Sequence, residues 1–291
     1  MLPAVQVSSG STDGELGTAL LMIGLGALVS MRLTGHLVDR LGAGVLPVVM
    51  LGFAAAGVLP AFAGSPVALG AALLLLGALA GATDVAINAA GVHAEIRSQR
   101  ALMNLAHAWF SVGVVVASLN TAALRAAGAG PCPVLGAVFA LITAITVVVL
   151  APGSLRTKGE SGHGPTSPVP ELSAPQKWRP ALPLIVFGCL GALAYLVENA
   201  WESWGAVYLE GTLDATAGLS STAPAVFASA VAAGRFAGNA MVRRFQPVWL
   251  ISVGALTAGA GTLVAATAGA PWVGLAGIAV AGLGTSVSPP R

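Results

Sequence analysis

The sequence predicts an all-α membrane protein, a helical bundle of about nine transmembrane helices in two pseudo-repeated halves. Three observations predict it. Of 291 residues, 56% are hydrophobic and only 8% are charged, with a mean hydropathy of +0.86, whereas a soluble domain carries about a quarter charged residues. Apolar runs of about twenty residues, the length a helix needs to cross a hydrocarbon layer, recur along the whole chain. Lysine and arginine fall almost entirely on one side of those runs.

In order, the runs are 16–35, 44–63, 66–90, 101–124, 133–150, 183–209, 219–241, 248–268 and 271–287. The loops between them are short, with one exception. Residues 152–181 gather Arg156, Lys158, Glu160, His163, Glu171, Lys177 and Arg179 among prolines and glycines, the composition of a flexible polar linker. This linker divides an N-terminal half, 1–151, from a C-terminal half, 182–291. If the loop after the first run is cytoplasmic, then Arg40, Arg97, Arg100, the linker cations, Arg243, Arg244 and Arg291 are all inside, and Arg125 alone is outside. Such a bias sets the orientation, with Met1 outside and the linker in the cytoplasm.

The same composition excludes several functions. The few, scattered charges form no nucleic-acid surface, so no nucleic-acid partner is expected. No G-x-x-x-x-G-K-[ST] loop occurs, so ATP is not expected either. Cys132 and Cys189 lie far apart in apolar surroundings and read as packing residues, not as metal ligands or a disulfide. No metal, no cofactor and no catalytic nucleophile with a neighbouring base emerges, and the chain does not read as an enzyme. An intramembrane enzyme using Asp84 and His107 ranks low for that reason. The lipid bilayer is the expected partner, and any functional work falls to groups inside it.

Polar residues inside the runs are the candidates for that work, since an ionisable group within a membrane is expensive unless paired, hydrated or protonated. Gly70, Gly77, Gly81, Asp84, Asn88 and Gly91 repeat at helical spacing and form one stripe. Its glycines permit close helix approach, and Asp84 with Asn88 would face the bundle interior, for proton exchange or for a structural hydrogen bond between helices. On the next helix Asn104, His107, Ser111 and Ser118 share a face. Measured from run ends at Ala90 and Ala101, Asp84 and His107 lie at similar depth, about 10 Å, where a proton could pass between them; a structural His bonded to a carbonyl is the alternative. Glu198 and Glu202 stand one turn apart, and their mutual repulsion would favour protonation of one of them. Trp201, Trp204 and Tyr208 read as an outer aromatic belt, in which case Glu202 reaches headgroups. Arg235 reads as a residue that snorkels to the cytoplasmic interface.

An internal repeat appears at an offset of 203 residues: Arg32, Gly35 and Arg40 have the spacing of Arg235, Gly238 and Arg243. The first copy continues as Gly35-His36-Leu37-Val38-Asp39-Arg40-Leu41-Gly42, a G-x-x-x-D-R-x-G motif between two runs. This motif, its degenerate second copy and the central linker resemble the major facilitator superfamily, with the nine runs similar to the family's helices two to ten. The resemblance implies a secondary transporter in a bacterial cytoplasmic (inner) membrane, working by alternating access, with a small-molecule solute and protons as the coupling ion for its further partners. It also implies that the first, eleventh and twelfth helices are missing, and a truncated, transport-inactive product is the competing expectation. Within the family, Asp84-Val85-Ala86-Ile87-Asn88, Glu95, the segment from Met103 to Gly113, and Glu198, Ala200, Trp204, Ala206, Tyr208 and Leu209 resemble the YbjJ-like bacterial inner-membrane subgroup. Asn199 and Ser203 depart from that pattern.

The motif suggests a conformational latch of Gly35, Asp39, Arg40, Gly42 and Arg97. Gly35 would allow close helix approach, while Asp39 would cap a neighbouring helix and pair with Arg97 in one transport state. Simple solvation of a loop is the alternative. Val242 replaces the aspartate in the second copy, so only Gly238 and Arg243 carry the motif there. The orientation is directly testable. A cysteine at Ser161 should resist an impermeant thiol reagent added to intact cells and react once the membrane is opened; reaction in intact cells would reverse the topology.

Overall fold

A computed structural model describes residues 1–98, 102–150, 182–241 and 246–286; the 152–181 linker and Arg243 lie outside the described residues. The helices are α1 (Leu2–Ser9), α2 (Asp13–Leu41), α3 (Val45–Val58), α4 (Pro66–Ser98), α5 (Leu102–Ala126), α6 (Pro131–Leu150), α7 (Leu182–Gly211), α8 (Ala217–Ser220), α9 (Ala223–Met241), α10 (Pro247–Ala266) and α11 (Pro271–Thr285). Among the described residues six helical stretches are long and apolar enough to cross a membrane, and Val112–Ala126 and Pro271–Thr285 are shorter apolar helices.

Local chemistry sets the helix ends. Thr12 and Glu15 form a capping box at the start of α2: the Glu15 amide donates to Thr12 Oγ1 at 3.3 Å and the Thr12 amide to Glu15 Oε2 at 2.9 Å. Four helices begin with Pro66, Pro131, Pro247 or Pro271, where the missing N–H has no intrahelical partner to lose. Gly42 ends α2 at a φ of 62°, a conformation that an L side chain rarely adopts. The last glycine of the motif therefore serves as a helix stop.

Two helices run further than the apolar pattern suggests. Helix α2 continues through Arg32, Gly35, Asp39 and Arg40 to Leu41, so the motif is helical and only Gly42–Gly44 turns. Helix α4 continues past Ala90 to Ser98, since 91–98 holds no proline and Ala94, Glu95 and Arg97 favour the helix.

Glycine determines how closely the helices approach. In the first half α2 lies on α4, with Gly26 against the backbone of Leu74 and Ala78, Gly77 against Ile23, and Gly81 against Ala27 and Ser30. Gly77 and Gly81 of the stripe expected on α4 thus face α2. In the second half α9 lies on α11, with Gly282 against Phe227 and Ala230 and Gly234 against Ser286. The middle helices, α3 and α10, pack on α4 and α11 in turn. Helices α2 and α9, which carry the two motif copies, therefore have equivalent partners. Gly35 is an exception to the expectation, since a Cβ there would meet nothing within 4 Å. The close contacts occur farther up the helix pair, at Gly26, Gly77 and Gly81.

This packing makes a paired prediction. Gly77→Ala should lower the melting temperature in detergent, because the new methyl would collide with the Ile23 backbone and overpacking costs about 1–3 kcal/mol. Gly57→Ala, where a Cβ meets open space, should be neutral or stabilising by up to about 1 kcal/mol. Equal effects at the two sites would refute the packing argument.

Candidate functional site

Asp84 is exposed and lies on α4, where the Asn88 side chain donates to its Oδ1 at 3.1 Å and to its backbone carbonyl at 2.8 Å. The Asp–Asn pair foreseen on the stripe is thus one local unit. Counted from the helix ends, Asp84 and His107 are not at equal distances. Asp84 stands about 21 Å along the axis from the end of α4 at Ser98, while His107 stands about 7 Å from the start of α5 at Leu102, because α4 is a full two turns longer than its apolar run. The His107 side chain itself lies outside the described residues.

On α7, Glu198 and Glu202 occupy successive turns, and Arg235 of α9 approaches the first of them: its Nη2 lies 3.7 Å from Glu198 Oε1. Arg235 stands about 18 Å from the start of α9, and Glu198 about 20 Å from the end of α7. The arginine thus stands beside a carboxylate of α7 while about half of its side chain stays exposed, about 9 Å from Met241, the last described residue of α9. Trp201, Trp204 and Tyr208 also differ from the expected belt, for all three are half-buried. Trp201 meets Tyr208 edge-on at 6.4 Å, Tyr208 donates to the Ala265 carbonyl at 2.6 Å, and the Trp204 ring lies over Gly17 of α2. Aromatic rings with polar edges fill the protein seam here because a hydrogen-bond partner is available inside it.

The polar centre that the sequence reading missed joins the two halves. Arg125, at the end of α5, is buried and forks onto Glu210, near the end of α7: Nη1 donates to Oε2 at 2.8 Å and Nη2 to Oε1 at 3.0 Å. Nη1 also donates to the Ala217 carbonyl at 3.2 Å, Ser220 Oγ at 3.3 Å and Ser221 Oγ at 3.1 Å. Ser220 in turn donates to Glu210 at 2.6 Å. The guanidinium is thus held by α7 and by the α8 turn together, in the bidentate geometry that favours arginine over lysine. Gly218 lets α8 settle onto Ala122 and Ala126 beside it. One signal pointed there: Arg125 is the single cation on the side that the positive-inside pattern leaves bare.

At the opposite end of the bundle Asp39 and Arg97 are both exposed, and no ion pair joins them among the described residues. Gly238 lies in α9. His36 and His93 bond to the backbone one turn back, at Arg32 and Ala89, as structural histidines do. Among the described residues no group of three or more metal-ligating side chains gathers.

The sequence profile of the Major Facilitator Superfamily matches residues 1–290. The chain belongs to this superfamily. It is 30% identical over 269 residues to an uncharacterised MFS-type transporter of Yersinia pestis, covering 91% of this chain and 66% of the relative. It is 31% identical over 271 residues to an uncharacterised transporter of Sinorhizobium fredii, covering 90% of this chain and 68% of that protein. The chain thus spans about two thirds of the length of these relatives. Superfamily membership fits the multi-pass helical bundle.

Loss of the Arg125–Glu210 clamp should be measurable. Removing one partner of a buried ion pair costs about 3–5 kcal/mol, and the 28% exposure of the Glu210 side chain puts Glu210→Gln toward the low end. With Cys132 and Cys189 replaced by Ser and a cysteine placed at the buried Ala122, that variant should raise labelling by an impermeant reagent about tenfold or more. Unchanged labelling would mean that the seam stays shut without the clamp.

Proposed function

We propose that the full-length protein is a secondary active transporter that moves a small solute across a bacterial cytoplasmic membrane by alternating access, coupled to protons. The observation that carries this reading is the asymmetry between the two ends of the bundle. The Arg125 end, outer by the distribution of cations, is tied across the halves by a bidentate ion pair. At the motif end Asp39 and Arg97 stand apart. Alternating access needs two such sets of contacts, each made when the other is broken. In this state the outer set is made. Asp39 and Arg97 are the residues for the inner set, with Gly42 stopping α2 where Arg40 meets the cytoplasm.

In this reading Asp84 is the proton-coupling residue. It lies deep in α4, and its Asn88 partner is neutral, so a permanent negative charge there depends on water. Protonation removes the charge and lets the cavity exchange between states; deprotonation holds it open to water on one side. Asp84→Asn keeps the shape and the bond to Asn88 but cannot titrate. In proteoliposomes of the full-length protein it should lose gradient-driven uptake, by about a hundredfold if the step depends on it, while counterflow exchange continues. Wild-type uptake by this variant would make Asp84 purely structural.

A further inference from the structure

We infer that Ser220 is a positioning residue of the outer clamp: it holds the Glu210 carboxylate in the orientation that Arg125 requires, and it keeps that hold when the halves part. The inference rests on the proposed alternating access, in which this clamp is made and broken, and adds a residue that sets its strength.

The hydrogens available separate the two serines beside Arg125. Both are buried, and each hydroxyl accepts from Arg125 Nη1, Ser221 at 3.1 Å and Ser220 at the longer 3.3 Å. That nitrogen carries two hydrogens and faces four acceptors: the two hydroxyls, Glu210 Oε2 and the Ala217 carbonyl. Its hydrogens are therefore shared, and neither serine is indispensable to the guanidinium. The hydroxyl protons are placed differently. Ser221 donates to the Ala217 carbonyl at 2.8 Å, within its own turn. Ser220 lies 3.1 Å from the same carbonyl but 2.6 Å from Glu210 Oε2, and a hydroxyl has one proton to give. The shorter, charge-assisted bond to the carboxylate takes it.

Glu210 depends on such a bond more than Arg125 does. Its side chain is 28% exposed and stands next to the last residue of α7, so water competes for it. A bidentate fork needs both carboxylate oxygens in line with the guanidinium, and a short bond from Ser220 to one of them fixes that rotation. Ser220 is itself fixed: Thr216 caps its turn, accepting from the Leu219 amide at 3.4 Å. Glu210, Ala217, Ser220 and Ser221 all belong to the second half. The bonds from Ser220 to Glu210 and from Ser221 to Ala217 need no atom of the first half, so both survive when Arg125 leaves with α5. The second half thus carries a preassembled socket, and the ordering cost of remaking the fork is lowered in advance.

The test uses the full-length protein with Cys132 and Cys189 replaced by Ser, a cysteine at the buried Ala122 and an impermeant maleimide as the probe. The labelling rate follows the fraction of time the seam is open. Ser220→Ala should raise it about fivefold, and Ser221→Ala less than about twofold, although Ser221 lies nearer the guanidinium. Added to Glu210→Gln, Ser220→Ala should change the rate by less than about twofold, because the carboxylate it positions is gone. A serine that merely packs would exert its full effect in both backgrounds. Alanine is a smaller residue and a good helix former, so the serine variants should fold, which their melting temperatures check. An equal or larger effect of Ser221→Ala, no effect of Ser220→Ala, or full additivity with Glu210→Gln would overturn the assignment. Failure of the wider reading looks different: unchanged labelling in Glu210→Gln would remove the outer clamp itself, whereas a response to Glu210→Gln without the difference between the serines would remove only the role of Ser220.

Discussion

The bidentate pair between Arg125 and Glu210 is the interaction on which the arrangement of the two halves depends. Within each half, helices are held by close packing of small residues, a force available wherever Gly77, Gly81, Gly282 or Gly284 allows backbones to meet. Between the halves packing of α9 on α5 and of Trp204 and Val207 on the core around Leu16 is joined by contacts of another kind. Among them are a buried ion pair ringed by serines and a glycine that seats a four-residue helix. In a low-dielectric seam a charge that loses its partner is strongly destabilised, so a clamp of this kind is either fully made or fully broken. Continuous loosening is disfavoured, and that property suits a protein whose halves must exchange between two arrangements.

The fold was legible in the sequence to the extent that solvent decides it. Runs of about twenty apolar residues, the sidedness of the cations and the repeated spacing of Arg32 and Arg235 needed no tertiary information, because the bilayer imposes length and orientation on each helix separately. The glycine stripe was legible for the same reason, since helical periodicity places Gly77, Gly81 and Asp84 together whatever they meet. Helix ends were less so. The apolar pattern stops at Ala90, but the hydrogen-bond ladder of α4 does not, and the eight further helical residues move the helix end from which the position of Asp84 is counted.

The site residues divide along the same line. Asp84 and Asn88 interact within one helix, and spacing alone brought them together. Glu198 stands out in the sequence as a charge in an apolar run, but nothing there says that Arg235 of α9 lies beside it. The aromatic residues were misread. Trp204 and Tyr208 have the composition of an interfacial belt, and only the neighbouring helices, supplying Gly17 and the Ala265 carbonyl, turn them inward. Arg125 and Glu210 lie far apart in sequence on different halves, and no periodicity links them.

Helix α7 connects the two polar centres, and the membership of their partners fixes how each behaves in motion. Glu210 and Glu198 lie on the same helix, about 18 Å apart along its axis. The partner of Glu210 is Arg125, in the first half; the partner of Glu198 is Arg235, in the second. If the halves rock as units, α7 moves with α9, so the Glu198–Arg235 contact is carried along while the Glu210–Arg125 fork must break. One helix thus bears a contact that stays within the second half and a contact that spans the seam, so a displacement of α7 reaches both at once. Coupling of this kind needs no chain of intermediate residues between the sites, only a helix stiff enough to move as one body and an ion pair at its end with two stable conditions.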